Sequence, residues 1–86
     1  MFVIVTYDVA SKRVTKVMKI CRKYLKHVQK SVFEGMITEG KLKQMKNELE
    51  SLIVCSEDNI CIYRIDNLKY TSKQQIGVVN TEDNIL

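Results

Sequence analysis

Asp8 closes the apolar run Phe2, Val3, Ile4, Val5, Thr6 and Tyr7. A carboxylate at a strand end often faces a cleft, where it offers a hard oxygen ligand to a divalent cation. No acid follows until Glu34, and between them lie eight cations: Lys12, Arg13, Lys16, Lys19, Arg22, Lys23, Lys26 and Lys30. A stripe of Lys and Arg binds phosphates without reading base sequence. A metal ligand beside such a stripe has the chemistry for phosphodiester hydrolysis. The ion lowers the pKa of a bound water and neutralises the charge that develops on the phosphate. One carboxylate holds magnesium only with help from water, substrate phosphate or a second carboxylate. A two-fold dimer that brings two Asp8 side chains together supplies that second group. The other reading of Asp8 is a residue that starts the loop and caps the following helix; spacing alone leaves both open.

Lys12, Arg13, Lys16, Lys19, Lys23 and Lys26 step by one, three and four residues and cover one broad helix face. They read either as a phosphate-binding stripe or as a solvated face. The absence of neighbouring acids favours the stripe, because solvated faces usually mix both signs. Tyr7, His27, Ser31 and Phe33 are candidates for the cleft around Asp8. His27 is the only histidine; it reads as a proton shuttle or phosphate donor, or as a half-exposed strand residue. Phe33 packs in the core or stacks on a base, the core being the better reading. Ser31 has no His/Asp partners, so a serine nucleophile is unsupported. The chain has no Gly-rich phosphate loop and no aromatic ribonucleoprotein signature. Cys21, Cys55 and Cys61 form no Cys-x-x-Cys and no zinc pattern, and read as reduced thiols of a cytoplasmic protein. Cys21 is expected to fill the core.

The elements that position these residues follow from periodicity. Residues 2–8 form a strand, rich in β-branched and aromatic side chains. Ser11 offers an N-cap for a helix over about 12–26, with Val14, Val17, Met18, Cys21, Leu25 and Val28 as its apolar stripe. Residues 27–38 supply two short antiparallel strands whose turn the sequence does not place, with Gly35 as a candidate bulge. Thr38 caps a second helix over about 39–53, striped by Leu42, Met45, Leu49 and Leu52 and supported by a Glu39–Lys43 pair. Ser56 to Asn59 is a turn and 60–65 a strand. A polar connection runs from Asp66 to Gln74, and a short strand covers 76–79. The first six elements, β-α-β-β-α-β, give an α+β ferredoxin-like sandwich, two helices on one face of an antiparallel sheet. One domain spans 1–80, and 81–86 is a flexible acidic tail.

The length of 86 residues limits the core, so a second copy is the expected cover for the other sheet face. Strand 76–79 is expected to pair with an edge of that partner. No apolar run reaches the roughly 18 residues that span a membrane, and the N-terminus lacks the basic start of a signal peptide. The net charge of +4 favours an anionic partner.

Four blocks carry a family resemblance. They are Val5 to Val9, then Lys12 and Arg13 with Lys16 and Val17, then Val28 to Gly35, then Ile62 to Arg64. Together they resemble the small CRISPR-associated ferredoxin-fold endonuclease family, partner of the CRISPR integrase in spacer acquisition. The likeness covers about residues 1–80, and the Gln29-x-Ser31-Val32-Phe33-Glu34 segment is its most specific piece. It implies a homodimer in which Asp8 binds Mg2+ at the two-fold interface as the catalytic ligand. It implies metal-dependent cleavage of single-stranded RNA or duplex DNA. Other members of the family act as non-catalytic bridges that hold duplex DNA between integrase dimers. Arg13 and Lys16 are implied in nucleic-acid contact, and Ser31 and Phe33 in the nearby cleft. Many relatives carry two arginines where this chain has Lys12 and Arg13, which removes one bidentate phosphate fork. Some relatives carry an arginine near the position of His27.

Overall fold

The computed structural model describes residues 1–65 of the chain. The connection from Asp66, the strand expected at 76–79, the domain bound at 80 and the acidic tail lie outside the described residues. Six elements follow one another: β1 (Phe2–Asp8), α1 (Ser11–Tyr24), β2 (Lys26–Gln29), β3 (Val32–Met36), α2 (Glu39–Leu52) and β4 (Asn59–Ile65). The sheet is antiparallel in the order β2-β3-β1-β4, so β1 runs through its interior. This is the α+β ferredoxin-like sandwich that the element order predicts.

Alternation along β1 explains the layers. Val3, Val5 and Tyr7 are buried beneath the helices, with Phe33 of β3 opposite Val5. Val17, Met18 and Cys21 of α1 and Leu42, Met45 and Leu49 of α2 close over them. A fully buried side chain the size of Phe33 contributes about 2–3 kcal/mol by leaving water. The other face carries Phe2, Ile4, Thr6 and Asp8. Registered beside them are Val32, Glu34 and Met36 on β3 and Cys61, Tyr63 and Ile65 on β4. Met36 is 64% and Tyr63 56% exposed, and no described element covers this face.

Several boundaries differ from the sequence reading. Ser11 is the first helical residue rather than the cap; the cap position is Ala10, which makes no side-chain cap bond. The helix ends at Tyr24, where Leu25 turns extended, and Val28 belongs to β2. The hairpin turn falls at Lys30 and Ser31, with Lys30 at a φ of 30°. The bulge lies between His27 and Gln29, not at Gly35. Gly35 serves a close approach instead: a Cβ there would lie 3.4 Å from Leu25 Cδ2. Thr38 does cap α2, its Oγ1 accepting from the Lys41 amide at 3.2 Å. Glu39 pairs with Arg64 of β4 at 2.6 Å rather than with Lys43.

Candidate catalytic and nucleic-acid-binding site

The central strand runs out at Asp8, which stands opposite Asn59, the first residue of β4. The Asp8 side chain is exposed and has no salt bridge among the described residues. Tyr7 turns inward, and its amide donates to the Ser31 carbonyl at 3.1 Å, tying the strand end to the hairpin turn. A groove of about 340 Å³ opens there, lined by Tyr7, Asp8, Val9, Val14, Met18, Lys30 and Ser31. Burial pushes the Tyr7 hydroxyl up to about 12, so it stays protonated at neutral pH. Among the expected cleft residues, Tyr7 and Ser31 therefore do join Asp8. Lys30, which the sequence reading placed only in the basic run, joins them as well.

His27 and Phe33 do not line this groove. Phe33 is fully buried, with the Tyr7 ring 6.2 Å away on one side and the His27 ring stacked at 4.5 Å and 16° on the other. It belongs to the core. His27 is buried too, against the half-exposed position expected of it. Its Nε2 lies 2.6 Å from the Lys30 carbonyl, a contact that requires the nitrogen to donate. Its Nδ1 has no partner among the described residues. The ring braces the turn.

Lys12, Lys16, Lys19 and Lys23 project from the exposed side of α1. Lys12, Lys16 and Lys19 form no salt bridge among the described residues. Lys23 pairs with Glu48 of α2, which also accepts from the Tyr24 hydroxyl. Hydrogen bonds from Lys23 and then Tyr24 hold the Glu48 carboxyl below its usual range. The acids missing from the neighbourhood of α1 in sequence are thus brought to it by the fold.

Arg13 departs most from its expected role. It lies four residues before Val17 and eight before Cys21, on the buried side of α1. Its side chain is 11% exposed and that of Asp58 0%. The guanidinium donates through Nε to Asp58 Oδ2 at 2.6 Å and through one terminal nitrogen to Oδ1 at 3.1 Å. The same nitrogen donates to Glu57 Oε1 at 2.7 Å. Asp58 also accepts the Ala10 amide on Oδ1 and the Val54 amide on Oδ2, both at 2.8 Å. The Arg13 hydrogen bonds, followed by the two backbone donors, hold the Asp58 carboxyl far below the usual carboxylate range. Arg13 therefore does not stand on the exposed stripe with the lysines. The sequence did carry a signal for this: Arg13 occupies the apolar stripe that repeats every three to four residues.

No three His, Cys, Asp or Glu side chains come together as a metal cage among the described residues. Among the described residues the groove offers one carboxylate, Asp8, which could hold a magnesium ion only if the ion kept most of its waters. No helix among the described residues is long and apolar enough to cross a membrane.

A lone acid at the end of a central strand, beside a lysine-striped helix in a ferredoxin-like sandwich, marks a small class of proteins. The sequence profile of the family described as CRISPR associated protein Cas2 matches residues 1–73. The CRISPR-associated endoribonuclease Cas2 of Thermotoga maritima is 44% identical over 86 residues, covering 100% of this chain and 99% of the relative. A CRISPR-associated endoribonuclease Cas2 of Thermodesulfovibrio yellowstonii is 48% identical over 77 residues, covering 90% and 88%. A solved Cas2 crystal structure superposes with a TM-score of 0.84 at 32% identity, covering 94% of this chain and 91% of that one. The chain belongs to the Cas2 family.

Proposed function

We propose that this protein is a CRISPR-associated, magnesium-dependent endonuclease that works as a homodimer on single-stranded RNA or duplex DNA during spacer acquisition. The observation that carries the reading is the exposed Asp8 carboxylate, unpaired among the described residues, beside the exposed lysines of α1. Relatives named endoribonucleases support the chemistry. Asp8 shares the uncovered sheet face with Phe2, Ile4, Met36, Tyr63 and Ile65. A second copy packed on that face brings its own Asp8 toward the first. Two carboxylates would then hold the metal, which when bound supplies an activated water and charge neutralisation. Lys12, Lys16 and Lys19 bind flanking phosphates, and the neutral Tyr7 hydroxyl remains a donor at the groove.

The test is cleavage of labelled single-stranded RNA and duplex DNA by wild type and Asp8→Ala, each with magnesium and with EDTA. Loss of the magnesium-dependent cut in Asp8→Ala, with oligomeric state unchanged, is the expected result. Equal cutting by both proteins overturns the mechanism.

A second reading, a non-catalytic adaptor that holds duplex DNA between integrase dimers, is favoured by the broad lysine face beside a groove with one carboxylate, Asp8, among the described residues. It predicts that Lys19→Glu with Lys23→Glu abolishes spacer acquisition while Asp8→Ala does not. Loss of acquisition in Asp8→Ala, in a correctly assembled complex, removes the pure adaptor.

A further inference from the structure

We infer that Arg13 and Asp58 are positioning residues for Asp8 and that Arg13 makes no phosphate contact. Asn59, the first residue of β4, and Asp58 just before it hold the backbone at Asp8 and two residues beyond it. Asn59 stands opposite Asp8 itself in the ladder, and the Asp58 carboxylate takes the Ala10 amide two residues on. The same carboxylate reaches the Val54 amide, two residues past the end of α2. Arg13 then locks it from the first turn of α1 with two bonds, while a third goes to Glu57. Three segments meet at one buried carboxylate, and the exposed Asp8 is the strand residue from which the loop they hold departs. With Nε and one terminal nitrogen committed to Asp58 and Glu57, the guanidinium keeps no free two-donor fork for a phosphate. The kinetic part of this inference rests on the nuclease reading; the binding and exchange parts do not.

The experiment compares Arg13→Gln, Arg13→Lys and the reference Lys16→Gln in the full-length protein. The first measurement is the salt dependence of affinity for a labelled DNA duplex. Lys16→Gln should lower the slope of log K against log salt by about 1, as loss of one phosphate contact does. Arg13→Gln should leave the slope at the wild-type value. The second measurement is amide hydrogen exchange at Val9 and Ala10, which should accelerate in both Arg13 variants, since lysine lacks the fork. The third, taken well below each variant's Tm, is magnesium-dependent cleavage. There kcat should fall about 100-fold in the Arg13 variants, the scale of a roughly 1 Å misplacement, with KM unchanged. If Arg13→Gln lowers the slope as Lys16→Gln does, or if Tm falls while kcat and exchange near Asp8 stay at wild-type values, the inference is overturned. Absence of cleavage in wild type defeats the nuclease reading alone, because slope and exchange still decide the positioning role. Should Arg13→Gln fail to fold, Arg13→Met with Asp58→Leu removes both charges without orphaning either. That pair is expected to fold with an unchanged slope and faster exchange at Ala10; a lowered slope or protected exchange overturns the inference there too.

Discussion

Phe33 lies between His27 and Tyr7 with no exposed surface, so its contribution is packing. Phe33→Ala should cost about 3–5 kcal/mol in urea unfolding, while Phe33→Leu keeps most of the stability. Nucleic-acid affinity of the folded Phe33→Leu protein should match wild type, because no base stacks on this ring. Asp58 sets a pH dependence whose sign follows from its depressed carboxyl. Its ionised form is favoured in the folded state, so the stabilisation is complete above the unfolded carboxylate value of about 3.9. It fades as pH drops through the lower folded value. Thermal melts from pH 6 downward should show Asp58→Asn less stable than wild type near neutrality, with the gap closing in strong acid. Asp8, the exposed lysines and the buried Cys21 were legible from residue type and spacing. The buried place of Arg13 is not legible from its neighbours, because its partner is 45 positions away in sequence. A basic residue beside other basic residues invites a surface role until its helical phase is weighed against Val17 and Cys21.

At the scale of elements, hydrophobic period located all six strands and helices, since each buries one face against the same core. Their ends were harder to read, because ends are set by tertiary bonds. Helix α1 begins at Ser11 without a side-chain cap from Ala10, while Asp58 takes the Ala10 amide. The β2–β3 turn carries no Gly or Asn at its tip, so sequence did not mark it. Lys30 occupies it at positive φ, braced by the His27 contact to its carbonyl. Asn tolerates the left-handed region better than Lys. Lys30→Asn should therefore stabilise the chain by about 0.5 kcal/mol, seen as a higher urea midpoint.

For the whole molecule, the proposed function puts a second copy on the uncovered sheet face and nucleic acid on the lysine stripe. Tyr63→Glu or Ile4→Glu adds a second carboxylate beside Glu34 in the middle of that face. Either should convert a dimer to a monomer in sedimentation equilibrium without unfolding the chain; a dimer that survives both locates the interface elsewhere. Replacing Lys12, Lys16 and Lys19 together by Gln should lower the salt slope of duplex binding by about 3. A slope that hardly moves would show that the stripe faces solvent in the complex.

The long reach of Asp58 also bears on the order of assembly during synthesis. Arg13 and Ala10 precede it by 45 and 48 positions. A nascent chain paused within α2 already carries Asp8 and every lysine of α1. It lacks the carboxylate that ties the strand end to its surroundings. On the proposed function and the positioning role inferred above, a ribosome-bound fragment can attract RNA before its acidic centre is fixed, and cutting competence arrives only once the start of β4 is made and has closed a long loop.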